Sequence, residues 1–250
     1  MKRRLTPGSS LIGIAMFFVI WQGVAMVVNR PIMPSPLVVV PLFCRSFLGE
    51  LGLHFLASTG RVLAAIVIAT MLAAPLGLAL GQMPRLDRVV GPLVAIVYPI
   101  PKIIFLPVIY VLLGITDLSK IILIAIIIFF QILVVVRDEA AGLKKELILS
   151  VRSLGAGRRA LFRYVYVPAT LPAVLTSLRI SVGTAIAVLF IAEQSLTRYG
   201  LGYYIVVETY QVLMYPEMYT GIMAMGLLGV SLYFLIYSIE LWVGRHLYVG

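Results

Sequence analysis

Residues 121–136 read IILIAIIIFFQILVVV, and Arg137, Asp138 and Glu139 follow at once. Gln131 is the one polar side chain in that run. An apolar helix closed abruptly by charge is how a chain crosses hydrocarbon about 30 Å thick. Similar runs lie on both sides, at about 11–28, 61–81, 89–113, 169–192 and 218–242. The whole chain of 250 residues is 62% hydrophobic and 12% charged. Soluble domains are about 45–50% apolar and roughly 25% charged. An ordinary soluble enzyme, a disordered chain and a fibrous protein are excluded. The expectation is an all-α polytopic membrane protein with six transmembrane helices in a single domain over 1–250.

Residues 11–28 also invite reading as a cleaved signal peptide. The run is longer than such an apolar core, and Val27-Val28-Asn29-Arg30-Pro31 offers no small-residue cleavage site. It is read as an uncleaved first span. Charge then sets the orientation. With the N-terminus inside, thirteen basic residues are cytoplasmic: Lys2, Arg3, Arg4, Arg85, Arg88, Arg137, Lys144, Lys145, Arg152, Arg158, Arg159, Arg163 and Arg245. Five lie outside: Arg30, Arg45, Arg61, Lys120 and Arg198. This asymmetry obeys the positive-inside rule and puts both termini in the cytoplasm. It also explains a net charge of +10 that in a soluble protein would suggest nucleic acid.

Residues 29–59 read as an outer loop. Pro31, Pro34 and Pro36 stop the first helix, and Ser35-Pro36 is an N-cap followed by proline at the first helical position. Residues 37–47 are too few to span and carry Pro41 and Arg45, so they are expected as an amphipathic helix on the outer interface.

Several chemistries have no carrier. There is no phosphate-binding G-x-x-x-x-G-K-[ST], no H-E-x-x-H and no G-x-S-x-G. The single cysteine, Cys44, and two distant histidines, His54 and His246, suggest no metal-ligand cluster. Acidic residues sit at span ends, with Asp117, Glu193, Glu208 and Glu217 outside and Asp87, Asp138, Glu139, Glu146 and Glu240 inside. No pair of intramembrane carboxylates stands ready to relay protons. Energy for transport is expected from another subunit.

The longest cytoplasmic connection, 137–167, is patterned. Leu147, Val151 and Leu154 repeat at i, i+4, i+7, giving one apolar helical face. Gly155-Ala156-Gly157 breaks that helix. A second short helix follows, with Ala160, Leu161 and Tyr164 on one side and Arg158, Arg159 and Arg163 on the other. Pro168 and Pro172 open the next span. Locally this is either an interfacial helix pair held on anionic lipid or a docking element for a cytoplasmic partner.

The run Ser150-Val151-Arg152-Ser153-Leu154-Gly155-Ala156-Gly157-Arg158, with Phe162-Arg163-Tyr164-Val165-Tyr166-Val167-Pro168, resembles the EAA loop of ABC-importer permeases. That pattern is E-A-A, three residues, Gly, nine residues, then I-x-L-P. Gly155 and Val165-Tyr166-Val167-Pro168 fit it, while Leu149-Ser150-Val151 replaces the E-A-A triplet. The resemblance extends over roughly 32–247. It is closest to the permease subgroup for nitrate, taurine, alkanesulfonates and bicarbonate. Met33-Pro34-Ser35-Pro36, Pro75 to Gly81, Pro99-Ile100-Pro101 with Pro107, Gly114 to Lys120, Ala192-Glu193 and Gly200-Leu201-Gly202-Tyr203 match its motifs in order.

The resemblance implies that Leu149, Ser150, Val151, Ser153, Leu154, Gly155, Ala156, Gly157, Arg158, Arg159, Phe162, Arg163 and Pro168 form a coupling loop seated on an ATPase subunit. It implies two permease copies, two ATPase subunits that bind ATP and magnesium, and an extracytoplasmic solute-binding protein. This chain would bind no cofactor and catalyse no reaction. Its cargo would be a small polar or anionic solute, and its site the bacterial inner membrane. The competing reading is a stand-alone secondary transporter or channel.

Tyr98, Pro99, Pro101, Lys102, Pro107, Arg179 and Glu193 are the candidates for the translocation path. Prolines that interrupt the third span mark a bend, lining the path or structural. Lys102, costly in mid-membrane by roughly 2.5–3.5 kcal/mol, either attracts an anion or snorkels. Arg179 reads as a structural ion pair or backbone contact ahead of a substrate-binding residue, and Glu193 as an outer-gate or ion-pairing residue. Gly77 and Gly81 form a G-x-x-x-G suited to close helix packing. Trp21, Tyr203, Tyr204, Tyr233 and Trp242 read mostly as interface anchors or lipid-facing residues.

Overall fold

The computed structural model describes residues 7–194 and 197–247, the side chains of 7–11, 145 and 244–247 excepted. Lys2, Arg3 and Arg4, and the side chains of Lys145, Arg245 and His246, therefore lie outside the described residues. In chain order the helices are α1 (Pro7–Val28), α2 (Pro36–Phe47), α3 (Glu50–Gln82), α4 (Pro84–Val97), α5 (Leu106–Leu113), α6 (Asp117–Ala141), α7 (Lys145–Ser153), α8 (Arg158–Leu161), α9 (Val167–Glu193), α10 (Leu201–Tyr203) and α11 (Tyr215–Leu247). Among the described residues there is no strand. The chain is an all-α polytopic membrane protein.

Among the described residues four segments are long and apolar enough to cross a membrane: Glu50–Gln82, Asp117–Ala141, Arg158–Glu193 and Tyr215–Val243. The third span, expected over 89–113 with prolines interrupting it, is a broken pair. Pro84–Val97 and Lys102–Leu113 are bent by 83°. Pro99 and Pro101 each lack an N–H, so the helix cannot continue through Tyr98–Pro101. Lys102 then starts a single 3₁₀ turn, Lys102–Phe105, and Pro107 sits in the first turn of α5. The described apolar part of α1, Ile12–Val28, is shorter than a span. Among the described residues, four helices and one bent pair stand where six spans were expected, with α1 alongside.

The second span also differs. It begins at Glu50, eleven residues before the expected start at Arg61, so residues 50–59 are helix rather than outer loop. His54 and Ser58 there are buried against protein, which local hydropathy does not reveal. The expected outer helix is present as α2, capped by Ser35, whose Oγ accepts from the Leu37 N–H at 3.2 Å.

The core is the packing of α3, α6 and α9. On α3 a small residue recurs every fourth position, at Ala65, Ala69, Ala73, Gly77 and Gly81. A Cβ on Gly77 would stand 2.9 Å from the Leu133 carbonyl oxygen. On Gly81 it would stand 2.5 Å from the Arg137 carbonyl oxygen and 2.6 Å from the Ala140 Cβ. The G-x-x-x-G is therefore the contact between α3 and α6. Arg137 also clamps α4, with Nε and Nη2 donating to the two oxygens of Asp87 at 2.6 and 2.8 Å. A smaller cluster joins α1, α2 and α11. There Trp21 is buried, donates from Nε1 to the Pro34 carbonyl and stacks on Tyr219. Tyr204 is buried as well, so neither it nor Trp21 is an interface anchor, whereas Trp242 is exposed.

Candidate coupling loop and translocation path

The connection after α6 is shorter than the expected 137–167, because α6 runs to Ala141 and α8 joins α9. Lys144 opens α7 in extended conformation, and α7 closes at Leu154. Gly155 follows with φ +84°, its N–H donating to the Arg152 carbonyl at 2.9 Å. A Cβ there would meet nothing within 4 Å, so glycine is required by backbone angle and not by space. Gly157, extended at ψ 176°, caps α8. Ser150 and Ser153 turn their hydroxyls onto the carbonyls of Glu146 and Ser150.

Between α8 and α9 lies a π-type turn, Phe162–Tyr166, in which the Val167 N–H donates to the Phe162 carbonyl, five residues back. The extra residue rotates the side chains that follow. Leu161 is buried but Tyr164 is 69% exposed, so the two do not share a buried side as the sequence pattern implied. The turn also absorbs Pro168 without a break, because its missing N–H falls in the first turn of α9. Leu147 and Val151 face Tyr164, Val165, Pro168 and Pro172 across a cleft of about 310 Å³.

From Ala141 to Ala160 no described residue is buried. Leu149, Leu154 and Phe162 are 60%, 86% and 49% exposed, and Arg152, Arg158, Arg159 and Arg163 are exposed among them. Of the candidate loop residues, Val151 and Ala156 are half-buried and Pro168 lies in the first turn of α9.

The path candidates fall in three places. Tyr98, Pro99, Pro101 and Pro107 are exposed at the bend. Lys102 is buried there, and its Nζ donates to the carbonyls of Val97, Tyr98 and Ile100 at 3.0, 2.7 and 3.1 Å. Those acceptors take all three ammonium protons. Lys102 caps carbonyls at the broken end of α4, beside the Phe130 ring. Arg179 lies apart, between α9 and α11, its Nε 3.0 Å from Glu240 Oε2 and its Nη1 donating to Tyr233 Oη.

Glu193 occupies the third place, fully buried where α3, α6 and α9 meet. It accepts from Arg61 Nη1 at 2.5 Å, from Ser58 Oγ at 2.8–2.9 Å and from the Gly202 N–H at 3.0 Å. Arg61 reaches further, to Asp117 through Nη2 at 2.6 Å and to the Tyr199 carbonyl through Nη1 at 2.8 Å. Lys120 is 3.9 Å from Asp117 and donates to Thr197. Two cations and two carboxylates thus gather near neutrality. Gly200, at φ +138°, brings the following turn against them, where a Cβ would stand 2.4 Å from Glu193 Cδ. The α5 limb touches the same place, because Tyr110 Oη donates to the Ala192 carbonyl at 2.6 Å.

Sequence reading identified Glu193 but not its partners. Glu50, His54, Ser58 and Arg61 stand at i, i+4, i+8 and i+11, one polar stripe on α3, and that spacing is the signal that could have found them.

Residues 65–247 match the family described as binding-protein-dependent transport system inner membrane component. The chain is 31% identical over 150 residues to the taurine transport system permease protein TauC of Escherichia coli, covering 60% of this chain and 54% of that one. It is 29% identical to a putative ABC transporter permease of Methanocaldococcus jannaschii, covering 87% and 84%. It is 25% identical to the nitrate import permease NrtB of Synechococcus elongatus, covering 93% and 86%. In fold it is similar to a chain of the inward-facing MetNI methionine ABC transporter, with TM-score 0.63 and 21% identity, covering 78% of this chain and 96% of that one.

Proposed function

This chain belongs to the binding-protein-dependent transport system inner membrane components and is an ABC-importer permease subunit; from that premise we propose how it assembles and what it carries. Two copies meet around a central path, with α1 as the first of six spans in each and the bend at Tyr98–Pro101 facing that path. Both termini lie in the cytoplasm. Two ATPase subunits, which hold the ATP and magnesium, dock on α7, α8 and the turn between them. A solute-binding protein delivers cargo at the opposite end. The cargo is a small polar or anionic solute, in keeping with the taurine and nitrate named for its relatives.

The observation that carries this reading is the segment 141–160, which holds α7 and the start of α8 and has no described residue buried. Short helices are marginal in water without packing. Leu149, Leu154 and Phe162, exposed among four arginines, suit an acidic-rimmed apolar cleft on a partner. In this reading the α3–α6–α9 ion cluster is the structural lock of the outer end, and Lys102 shapes the bend rather than contacting solute.

The test is co-expression with the genes that neighbour the one for this chain. Purification in mild detergent should yield two permease and two ATPase chains. Leu154→Asp should release the ATPase while leaving the permease monodisperse. An oligomer without ATPase, with uptake in ATP-free vesicles, would overturn the reading in favour of a stand-alone carrier.

A further inference from the structure

We infer that Glu50, His54 and Glu208 form a binding site for a first-row divalent metal ion of the zinc type. The inference does not rest on the transport reading. Sequence order hides this group, because Glu208 is more than 150 residues from the other two. Glu50 opens α3, and His54 follows one turn later on the same face. Glu208 lies on the π-type turn Tyr204–Tyr210, which continues α10 and packs over the start of α3. One ligand atom from each of the three lies within 4.8 Å of the others.

The imidazole is the decisive group. His54 is fully buried, and its Nε2 makes no hydrogen bond. What faces it is Glu208 Oε2 at 3.2 Å. A buried ring nitrogen left without a hydrogen bond is costly. Two ligands each about 2.0–2.1 Å from a tetrahedral zinc stand roughly 3.3–3.4 Å apart, so the observed separation suits a shared ion. The other nitrogen has a carbonyl within reach that suits that role in one of its two tautomers. His54 Nδ1 is 3.1 Å from the Gly200 carbonyl oxygen and 3.0 Å from the Gly200 backbone nitrogen, so it donates to the first or accepts from the second according to which ring nitrogen holds the proton. A metal-bound histidine characteristically donates its second N–H to such a carbonyl, which leaves the Nε2 lone pair for the metal.

Charge and access agree. Glu50 and Glu208 set two carboxylates beside one imidazole, and a divalent cation would balance their charge. Nearby Arg61 is committed to Glu193 and Asp117 and cannot serve. Glu50 is exposed, so the site opens to solvent through a side chain free to swing onto the ion. The rings of Tyr199, Tyr203 and Tyr204 enclose the imidazole on its other sides. One imidazole with two carboxylates favours zinc or its transition-metal neighbours over magnesium or calcium, which take all-oxygen sets. The bound ion would tie the 204–210 turn to α3.

The test uses the full chain purified in mild detergent with a tag that contains no histidine, stripped with EDTA. Zinc is titrated calorimetrically, and thermal unfolding is followed with and without it. The expected result is one zinc per chain, an EDTA-reversible rise in Tm, and no competition from magnesium. Glu50→Gln and Glu208→Gln, each monodisperse on gel filtration, should weaken zinc binding at least tenfold. The exposed Glu50 gives a variant that folds even if the buried positions do not tolerate change. Absence of zinc binding by the monodisperse wild type, or equal binding by the Glu50→Gln chain, would overturn the inference.

Discussion

Glu193→Gln is the sharpest perturbation of the core lock. The carboxylate takes three donors: Arg61 Nη1 on Oε1, the Gly202 N–H on Oε2, and Ser58 Oγ between them. An amide has one oxygen, so whichever way it turns, its NH₂ meets an N–H. Removing one partner of a buried ion pair costs about 3–5 kcal/mol. Arg61 keeps Asp117, which is 68% exposed and partly hydrated, so the lower end applies, about 3 kcal/mol. At about 2–4 °C per kcal/mol for a chain of this size, Tm should fall by about 6–12 °C. The assay is heat survival of monodisperse protein on gel filtration, for Glu193→Gln, Arg61→Gln and the double variant. The double variant should cost less than the sum of the singles by about 2 kcal/mol, because it removes both buried charges together. A Tm within about 2 °C of wild type for Glu193→Gln, or strict additivity in the cycle, would refute the assignment of the pair as a lock.

Gly81→Ala should cost about 1–3 kcal/mol by prising α3 from α6, whereas Gly60→Ala on the same helix, with nothing within 4 Å of its Cβ, should leave Tm unchanged or raised. Lys102→Met strips the donor from three carbonyls and should cost about 2 kcal/mol; in the assembled importer it should lower the amount of active protein and leave the solute KM unaltered. Arg137→Gln opens a pair only about a quarter to a third exposed on each side and should cost about 1 kcal/mol, read as a Tm shift far smaller than that of Glu193→Gln. Gly155→Val forces φ +84° on a β-branched residue at about 1–2 kcal/mol; the chain should stay monodisperse while ATP-driven uptake falls, and normal uptake would argue against a coupling role for that turn.

Hydropathy alone marks where apolar helices lie, which is why Ile121–Val136 and its relatives are legible as spans. It is blind to direction: Pro99 and Pro101 announce an interruption, but the 83° bend depends on where α5 packs. It also underestimates α3. Residues 50–59 carry Glu50, His54, Ser58 and Thr59, and a sequence window scores them as loop because their partners, Glu193, Gly200 and Glu208, are 130 or more residues away. Gly77 and Gly81 were legible because close helix approach leaves a local four-residue mark. Tyr164 was misplaced because periodicity assumes 3.6 residues per turn, and one π-type turn shifts everything after it.

That same turn makes Arg158–Glu193 one unbroken segment of 36 residues. At 1.5 Å per residue it is a rod about 54 Å long. One tip is the arginine-rich corner that ends in solvent, and the other is Glu193, gripped by Arg61. A tilt of roughly 5° about the midpoint displaces each tip by about 2.4 Å, comparable to the span between a formed and a parted ion pair. Motion imposed on one tip would thereby displace the other without any intermediate linkage, and the grip on Glu193 would set the load against which such a lever works.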